Sequence, residues 1–169
     1  MTTGTLVSEE EYLHTSYEPD CEFEDGVLIG RNVGTPKHSE LQIFLGAYFL
    51  RRRKEWNIHV YTELRCRIRT GKYMVPDIAV VQGKKPEGLT ATEPPLIWIE
   101  ILSPEDRPIR LERKIKQVLD YGAPYVWVID PETLESNLHT AQGTLALEDG
   151  TLRIPGTEIV APLADVFED

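Results

Sequence analysis

The amino-acid sequence predicts an α/β domain in which apolar strands are accompanied by amphipathic helices. Two short runs, residues 75–81 and 96–102, are apolar enough to be buried strands. Two longer stretches, residues 39–54 and the segment that follows Pro104, place apolar residues at the three- and four-residue spacing of a helix. These patterns are typical of a sheet that is covered by helices.

Length and composition predict one domain over residues 1–169, because 169 residues with 41% hydrophobic content can bury a full core. The sequence has no apolar run of membrane-spanning length, and residues 1–20 lack the features of a signal peptide. We therefore expect a cytoplasmic protein without a membrane partner. Cys21 and Cys66 have no metal-binding or redox spacing, and we expect two packed thiols.

The net charge of −10 is unevenly distributed along the chain. Residues 1–30 carry eight acids and no bases, and residues 130–169 carry nine acids and one base, so each flank has a charge of −8. Residues 31–129 carry seventeen bases and eleven acids, a charge of +6. This asymmetry permits a cationic face for nucleic acid, although an acidic surface that serves solubility explains it equally well.

The first third of the chain contains two predicted helices and a hairpin. Residues 5–12 predict a short helix with Ser8 as its cap, and residues 39–54 predict a long one. Between them, residues 21–29 alternate around Asp25-Gly26, a dipeptide that favours a tight hairpin turn.

A long strand is predicted over residues 58–69, and its alternation puts Arg65, Arg67 and Arg69 on one face. This row is either a solvated strand face or a stripe that binds nucleic-acid phosphates. A hairpin between this strand and the next would bring the arginines close to Asp77.

The second half of the chain predicts a loop, a helix and several strands. The loop covers residues 82–95, and the helix begins at the acids Glu105 and Asp106 and ends near Gly122. The predicted strands are residues 125–130, an edge hairpin of residues 134–140 and 144–147, and residues 157–160.

Three charged residues are predicted to converge at the edge of the sheet. Asp77 lies near the start of one apolar strand, and Glu100 lies inside the next, where an ionised carboxylate is costly without a cation beside it. On a helical wheel Lys114 falls about 60° from the centre of the apolar face, whereas Lys116 points away. An Asp, a Glu and a Lys together can hold a divalent metal and position a water beside a phosphodiester.

Four segments of the chain carry motifs in a characteristic order. They are Pro76-Asp77, the run PLIWIEILSP at residues 95–104, Lys114-Ile115, and the run GAPYVWVIDP at residues 122–131. In this order they closely resemble the Uma-two family of restriction-endonuclease-like proteins, which is placed in the PD-(D/E)xK nuclease superfamily. With Glu22 and His38 upstream, the resemblance covers roughly residues 8–160.

The resemblance implies a restriction-endonuclease-like fold, with a mixed central β-sheet flanked by helices, to which the edge hairpin is added. It also implies a Mg²⁺-dependent nuclease, with Mn²⁺ as a possible substitute, that hydrolyses nucleic acid, in the first place DNA. Asp77 and Glu100 would be the metal-binding carboxylates, helped by the backbone carbonyl of Ile101. In the superfamily pattern a Lys stands two residues after the second acid, where this chain has Leu102, and Lys114 on the next helix would replace it.

Two further positions match the family and could assist metal or water binding. They are His38 and Glu22; Glu40 is an alternative to His38, and each also has a purely structural explanation. Two other functions remain open: a non-catalytic interaction module that keeps the fold and dimerises, and a hydrolase of small phosphoesters. A homodimer is expected because the predicted edge strands near residues 134–147 lack protecting charges.

Overall fold

The computed structural model describes residues 6–167. Over this range the helices are α1 (Glu9–His14), α2 (Pro36–Arg51), α3 (Pro108–Tyr121) and α4 (Leu163–Val166). The strands are β1 (Cys21–Glu24), β2 (Val27–Gly30), β3 (Ile58–Thr62), β4 (Cys66–Arg69), β5 (Lys72–Met74), β6 (Ile78–Gln82), β7 (Ile97–Ile101), β8 (Tyr125–Ile129), β9 (Ser136–Thr140), β10 (Gly143–Ala146), β11 (Thr151–Arg153) and β12 (Val160–Pro162).

A six-stranded mixed sheet forms the centre of the fold, in the order β10-β9-β8-β7-β6-β3. The β7–β8 pair is parallel and is joined through α3, whereas the other neighbouring strands are antiparallel. Apolar clusters cover both faces, one built on α2 and the C-terminal segment and the other on α3. The predicted mixed sheet flanked by helices, with an edge hairpin, is confirmed.

Strand alternation decides which side of the sheet each residue of β7 faces. Ile97, Ile99 and Ile101 pack into the cluster on α2, whereas Trp98 packs into the cluster on α3. Because side chains along a strand alternate between faces, Glu100 lies on the same side as Trp98. The alternation of side chains along β7 therefore places Glu100 on the face of the sheet that α3 covers.

The predicted single strand over residues 58–69 is wrong. The strand is interrupted near Glu63, whose φ of 53° is left-handed. The residues on either side form β3 and β4, which belong to different sheets. β3 pairs with β6 in the central sheet, whereas β4 pairs with β5 in a four-stranded antiparallel sheet of order β2-β1-β5-β4. Strand pairing with two different partners overrides the continuous alternation of the sequence.

The early elements follow the prediction, with shifted boundaries. Ser8 caps α1 by accepting a hydrogen bond from the N–H of Glu11, whereas Thr5, the predicted first residue of that helix, lies outside the described range. The hairpin of β1 and β2 turns at Asp25-Gly26 as predicted. α2 begins at Pro36 instead of residue 39, because Thr35 is its cap.

The later elements also follow the prediction, except at the start of α3 and at residues 157–160. Glu105 and Asp106 precede this helix, which begins at Pro108. Asp106 instead accepts hydrogen bonds from the backbone of Ser103 and from Asn32. The helix ends at left-handed Gly122, as predicted, and β9 and β10 form the edge hairpin. The predicted strand at residues 157–160 is wrong except for Val160, which begins β12; this strand pairs with β11.

Two other observations concern the whole described range. Both cysteines are free thiols, and Cys66 is fully buried. None of the described helices combines the length and apolar character that a bilayer crossing requires.

Candidate active site

Asp77 immediately precedes β6 and is held between that strand and β7. Antiparallel pairing places the start of β6 beside the end of β7, so the backbone N–H of Ile101 donates to Asp77 Oδ2 at 2.7 Å. Arg31 Nη2 binds the other carboxylate oxygen at 2.8 Å, and His38 Nε2 lies 3.4 Å from Oδ2. Burial raises the pKa of Asp77, but the His38 hydrogen bond and the Arg31 charge outweigh it, so the pKa lies below its usual value.

Glu100 is the buried carboxylate of β7, with 9% of its surface exposed. Trp98 Nε1 donates to Glu100 Oε1 at 2.6 Å, and Lys114 Nζ lies 2.7 Å from the same oxygen. No donor within the described range reaches Oε2. One oxygen is therefore fixed, and the other is available to a ligand.

Lys114 extends from α3 toward the sheet, as the helical wheel predicts. Besides Glu100, its ammonium contacts Glu22 Oε1 at 3.0 Å and the carbonyl of Val75 at 3.4 Å. Burial lowers the pKa of Lys114, but the charges of Glu100 and Glu22 outweigh it and raise the pKa. Lys114 is therefore a cation and acts as a hydrogen-bond donor.

Glu22 joins the cluster from β1, far away in the sequence. Its Oε1 accepts the N–H of Val75, which follows β5, at 3.0 Å. Because β1 pairs with β5, the smaller sheet brings this carboxylate to the end of the central sheet. The structure thus brings Glu22 to Lys114 and Glu100.

His38 contributes to the site from the first turn of α2. Its Nε2 lies 3.4 Å from Asp77 Oδ2, and the interaction with this carboxylate raises the pKa of His38. Its Nδ1 is buried without a hydrogen-bond partner among the described residues. Glu40, the predicted alternative, is exposed on the same helix and does not line the cleft.

Arg31 is the site residue that the sequence analysis missed. It follows β2, and 15% of its side chain is exposed. Arg31 is also the first basic residue of a chain whose preceding thirty residues carry eight acids. An isolated cation after an acidic segment was the available signal, but its partner Asp77 is 46 residues away.

An open cleft of about 240 Å³ lies in front of these side chains. Its lining includes every residue of the cluster: Glu22, Arg31, His38, Asp77, Glu100 and Lys114. Three carboxylates face two permanent cations and a histidine, so with all carboxylates ionised and His38 neutral the cluster carries one excess negative charge. Burial is the main reason that the pKa of Glu100 rises to about 7; the Lys114 charge opposes this rise, and the Asp77 charge adds to it.

The donor set fits a hard divalent cation. No group of three His, Cys, Asp or Glu side chains within residues 6–167 has the spacing of a complete metal site. Mg²⁺ does not require one, because it usually keeps several waters and binds proteins through one or two carboxylates. Asp77, Glu100 with its available Oε2, and the local shortage of positive charge meet that requirement. The metal role of the Ile101 carbonyl stays a prediction, since the contact observed to Asp77 uses the N–H of Ile101.

The predicted arginine row does not form. Arg65 precedes β4, and a register shift separates Arg67 from Arg69, so the expected shared face is interrupted. Each arginine instead has an acidic partner: Asp20 for Arg65, Glu9 for Arg67, and Glu24 and Asp25 for Arg69. None of the three lines the cleft, and their role in nucleic-acid binding stays a prediction.

Arg65 has structural contacts that a stability measurement can detect. Its guanidinium donates to the carbonyls of Tyr12 and Thr15, pairs with Asp20, and lies 4.3 Å from the centre of the Tyr12 ring. Arg65→Gln should lower the free energy of unfolding in urea by about 2–3 kcal/mol, because these charged hydrogen bonds are lost. Arg69→Gln is the control, since Arg69 is 49% exposed and its partner Asp25 is 64% exposed; equal losses in both variants would contradict this role.

Residues 9–161 match the model of the Uma2 family, which is described as "Putative restriction endonuclease". This match covers most of the 169 residues and carries the motifs quoted above. The chain belongs to the Uma2 (Uma-two) family. The resemblance found in the sequence is thus confirmed.

One solved structure has the same fold as this Uma2 protein. A chain titled "putative nuclease belonging to DUF820" from Anabaena variabilis ATCC 29413 is 24% identical, with a TM-score of 0.78 over 96% of this chain and 98% of that chain. A chain of the DrdV–DNA complex is 13% identical, with a TM-score of 0.40 over 76% of this chain and 10% of that chain. No curated protein matches this sequence.

Proposed function

We propose that this Uma2 protein is a metal-dependent nuclease that hydrolyses phosphodiester bonds in nucleic acid, with DNA as the first substrate to test. The observation that carries the proposal is the contact of 2.7 Å between Lys114 and Glu100 in the cleft that Asp77 also lines. A buried Asp, a buried Glu and a protonated Lys supply the residue types that metal-assisted phosphodiester hydrolysis needs. The family description is consistent with this chemistry.

Asp77 and Glu100 are the residues that would hold Mg²⁺, or Mn²⁺ in its place. When bound, the ion supplies a Lewis acid that offsets charge on the scissile phosphate. Arg31 and the Ile101 N–H each hold one oxygen of Asp77, so its carboxylate is fixed in orientation before a ligand arrives. Trp98 fixes Glu100 in the same way.

Lys114 has the position and charge to act on the reacting phosphate. Its ammonium is held by Glu100 and Glu22 and donates hydrogen bonds, so it can orient the attacking water or stabilise the developing oxyanion. His38 Nε2 lies beside the Asp77 carboxylate and, together with Arg31, lowers the pKa of Asp77, which favours the ionised carboxylate. Glu22 acts through Lys114 as a positioning residue.

The same ion pair also supports a second candidate, a non-catalytic interaction module. A buried Lys–Glu pair can be retained for structural reasons alone, and a fold does not establish an activity. The homodimer and the cytoplasmic location also remain predictions. Metal binding separates the two candidates, because a purely structural pair has no need of an ion.

The test is calorimetric binding of Mg²⁺ and Mn²⁺ to the wild type, Asp77→Ala and Glu100→Ala, with cleavage of single- and double-stranded DNA followed in the same buffers. We expect both variants to lose metal binding and metal-dependent cleavage. Glu105→Gln is the control, because it removes one exposed carboxylate from the same cleft. A folded wild type that binds neither metal would refute the nuclease proposal, and cleavage of a small phosphoester alone would replace its substrate.

A further inference from the structure

Three arginines of one helix line the cleft beside Lys114 without acidic partners. They are Arg107, Arg110 and Arg113, all exposed and all on or directly before α3. No acidic side chain in the described part of the chain lies within ion-pair distance of any of them. By contrast Lys116 on the same helix is paired with Asp120 at 2.7 Å. The unpaired charges are therefore concentrated on the cleft side.

The start of α3 is an unfavourable place for Arg107 and Arg110, which are its N-cap and its third residue. The N-terminus of a helix carries a partial positive charge, which favours acids and disfavours bases in the first turn. Yet α3 has no acid in its first turn, and its N-cap, Arg107, makes no side-chain capping hydrogen bond. A helix that breaks these local rules at a cleft is typical of a functional surface whose residues were retained at some cost in stability.

We propose that Arg107, Arg110 and Arg113 bind the phosphate backbone of the nucleic-acid substrate and direct it to the cleft. This inference rests on the proposed nuclease function, whose site it extends. Arg107 and Arg113 are six residues apart, so the row extends about 9 Å along the helix axis. Two to three base steps of one strand have a similar axial rise, at roughly 3.4 Å per step.

The row lies in the same cleft lining as Lys114. Lys114 follows Arg113 on α3 and reaches Glu100 and Glu22, so a backbone that lies along the row passes beside the cluster. Two acids, Glu105 and Asp106, line the same cleft. Asp106 is engaged by Asn32 and Ser103, which leaves three free cations and one free acid at the cleft entrance.

The experiment measures DNA binding by fluorescence anisotropy, in EDTA to prevent cleavage, over a series of salt concentrations. The triple variant Arg107→Gln, Arg110→Gln, Arg113→Gln is compared with wild type on a labelled duplex and on the matching single strand. We expect binding to weaken at least tenfold, and the slope of log K against log salt on the duplex to fall by about 3, because each phosphate contact contributes roughly 0.9. The melting temperature should stay the same or rise, because cations leave a helix N-terminus.

The control variant Lys54→Gln, Lys84→Gln, Lys85→Gln removes the same charge from exposed positions outside this cleft. It should bind DNA nearly as the wild type does, and equal loss in both triple variants would overturn the proposal. If the wild type cleaves DNA and the arginine variant binds and cleaves it equally well, the proposed role of the arginines is refuted. The proposed nuclease function is then unaffected. A wild type that binds DNA through the row but never cleaves it would support the row and refute the nuclease. A wild type that does not bind DNA would refute the row.

Discussion

Replacing Lys114 with methionine should destabilise the protein by about 3–5 kcal/mol near neutral pH and abolish cleavage. The ammonium contacts Glu100 at 2.7 Å and Glu22 at 3.0 Å, and only 11% and 14% of these two side chains are exposed. Removing the cation leaves two carboxylates buried without their ion-pair partner. Urea unfolding at about pH 5 and about pH 8 should show a smaller loss at the lower pH, because Glu100 is then protonated.

Lys116→Met is the matched control for this prediction. It removes the same charge from the same helix, but Lys116 and its partner Asp120 are both largely exposed. We expect little change in stability and full cleavage activity. Lys114→Arg retains the charge with a different shape, so recovered stability without recovered cleavage would separate the structural role of this residue from its catalytic one. Equal stability of Lys114→Met and Lys116→Met would contradict the buried cluster.

Replacing Glu100 with glutamine should remove cleavage and, above neutral pH, stabilise the protein. Burial raises the pKa of Glu100 from 4.5 to about 7 in the folded chain. Between these two pH values the unfolded chain has lost the proton and the folded chain keeps it, so wild-type stability falls as pH rises. The total decrease is on the order of 3 kcal/mol. Glutamine cannot ionise and avoids this loss.

The measurement is the difference in unfolding free energy between Glu100→Gln and the wild type from about pH 4.5 to about pH 8. This difference should be near zero at the acidic end and should favour the variant increasingly as pH rises. Cleavage should fall by about three orders of magnitude, which corresponds to roughly 4 kcal/mol of transition-state stabilisation. Glu105→Gln should change neither quantity. A Glu100→Gln variant that is less stable than the wild type at high pH would mean that Glu100 mainly serves to stabilise Lys114.

Local periodicity was sufficient wherever one element decided the position of a side chain. The two-residue period of β7 places Glu100 on the same face of the sheet as Trp98. The 3.6-residue period of α3 places Lys114 on the side of the helix that faces the sheet. Both inferences concern residues whose neighbours along the chain fix their direction. The family resemblance added Glu22 and His38, which periodicity does not single out.

Periodicity gave a wrong prediction where neighbouring segments of the chain pair with different strands. The alternation over residues 58–69 is consistent with one strand, but the left-handed turn at Glu63 divides it between two sheets, and the expected arginine row is lost. The start of α3 also differs from the prediction. Asp106 accepts hydrogen bonds from Ser103 and Asn32 and lies before the helix, not in its first turn. Hydrophobic periodicity along the chain does not predict these contacts, because most of them join residues that are distant in the sequence.

The sequence by itself determined the convergence of Glu100 with Lys114, because strand and helix periods fix the face that each side chain occupies. The resemblance of its motifs to the Uma2 family implied the mixed sheet with flanking helices. Only the tertiary structure decided that Arg31 would hold Asp77, and that Arg65, Arg67 and Arg69 would be paired with acids. It also decided which arginines stay unpaired beside the cleft. The reason is physical: a charge selects its partner by distance in space, and pairing between strands far apart in the sequence sets that distance.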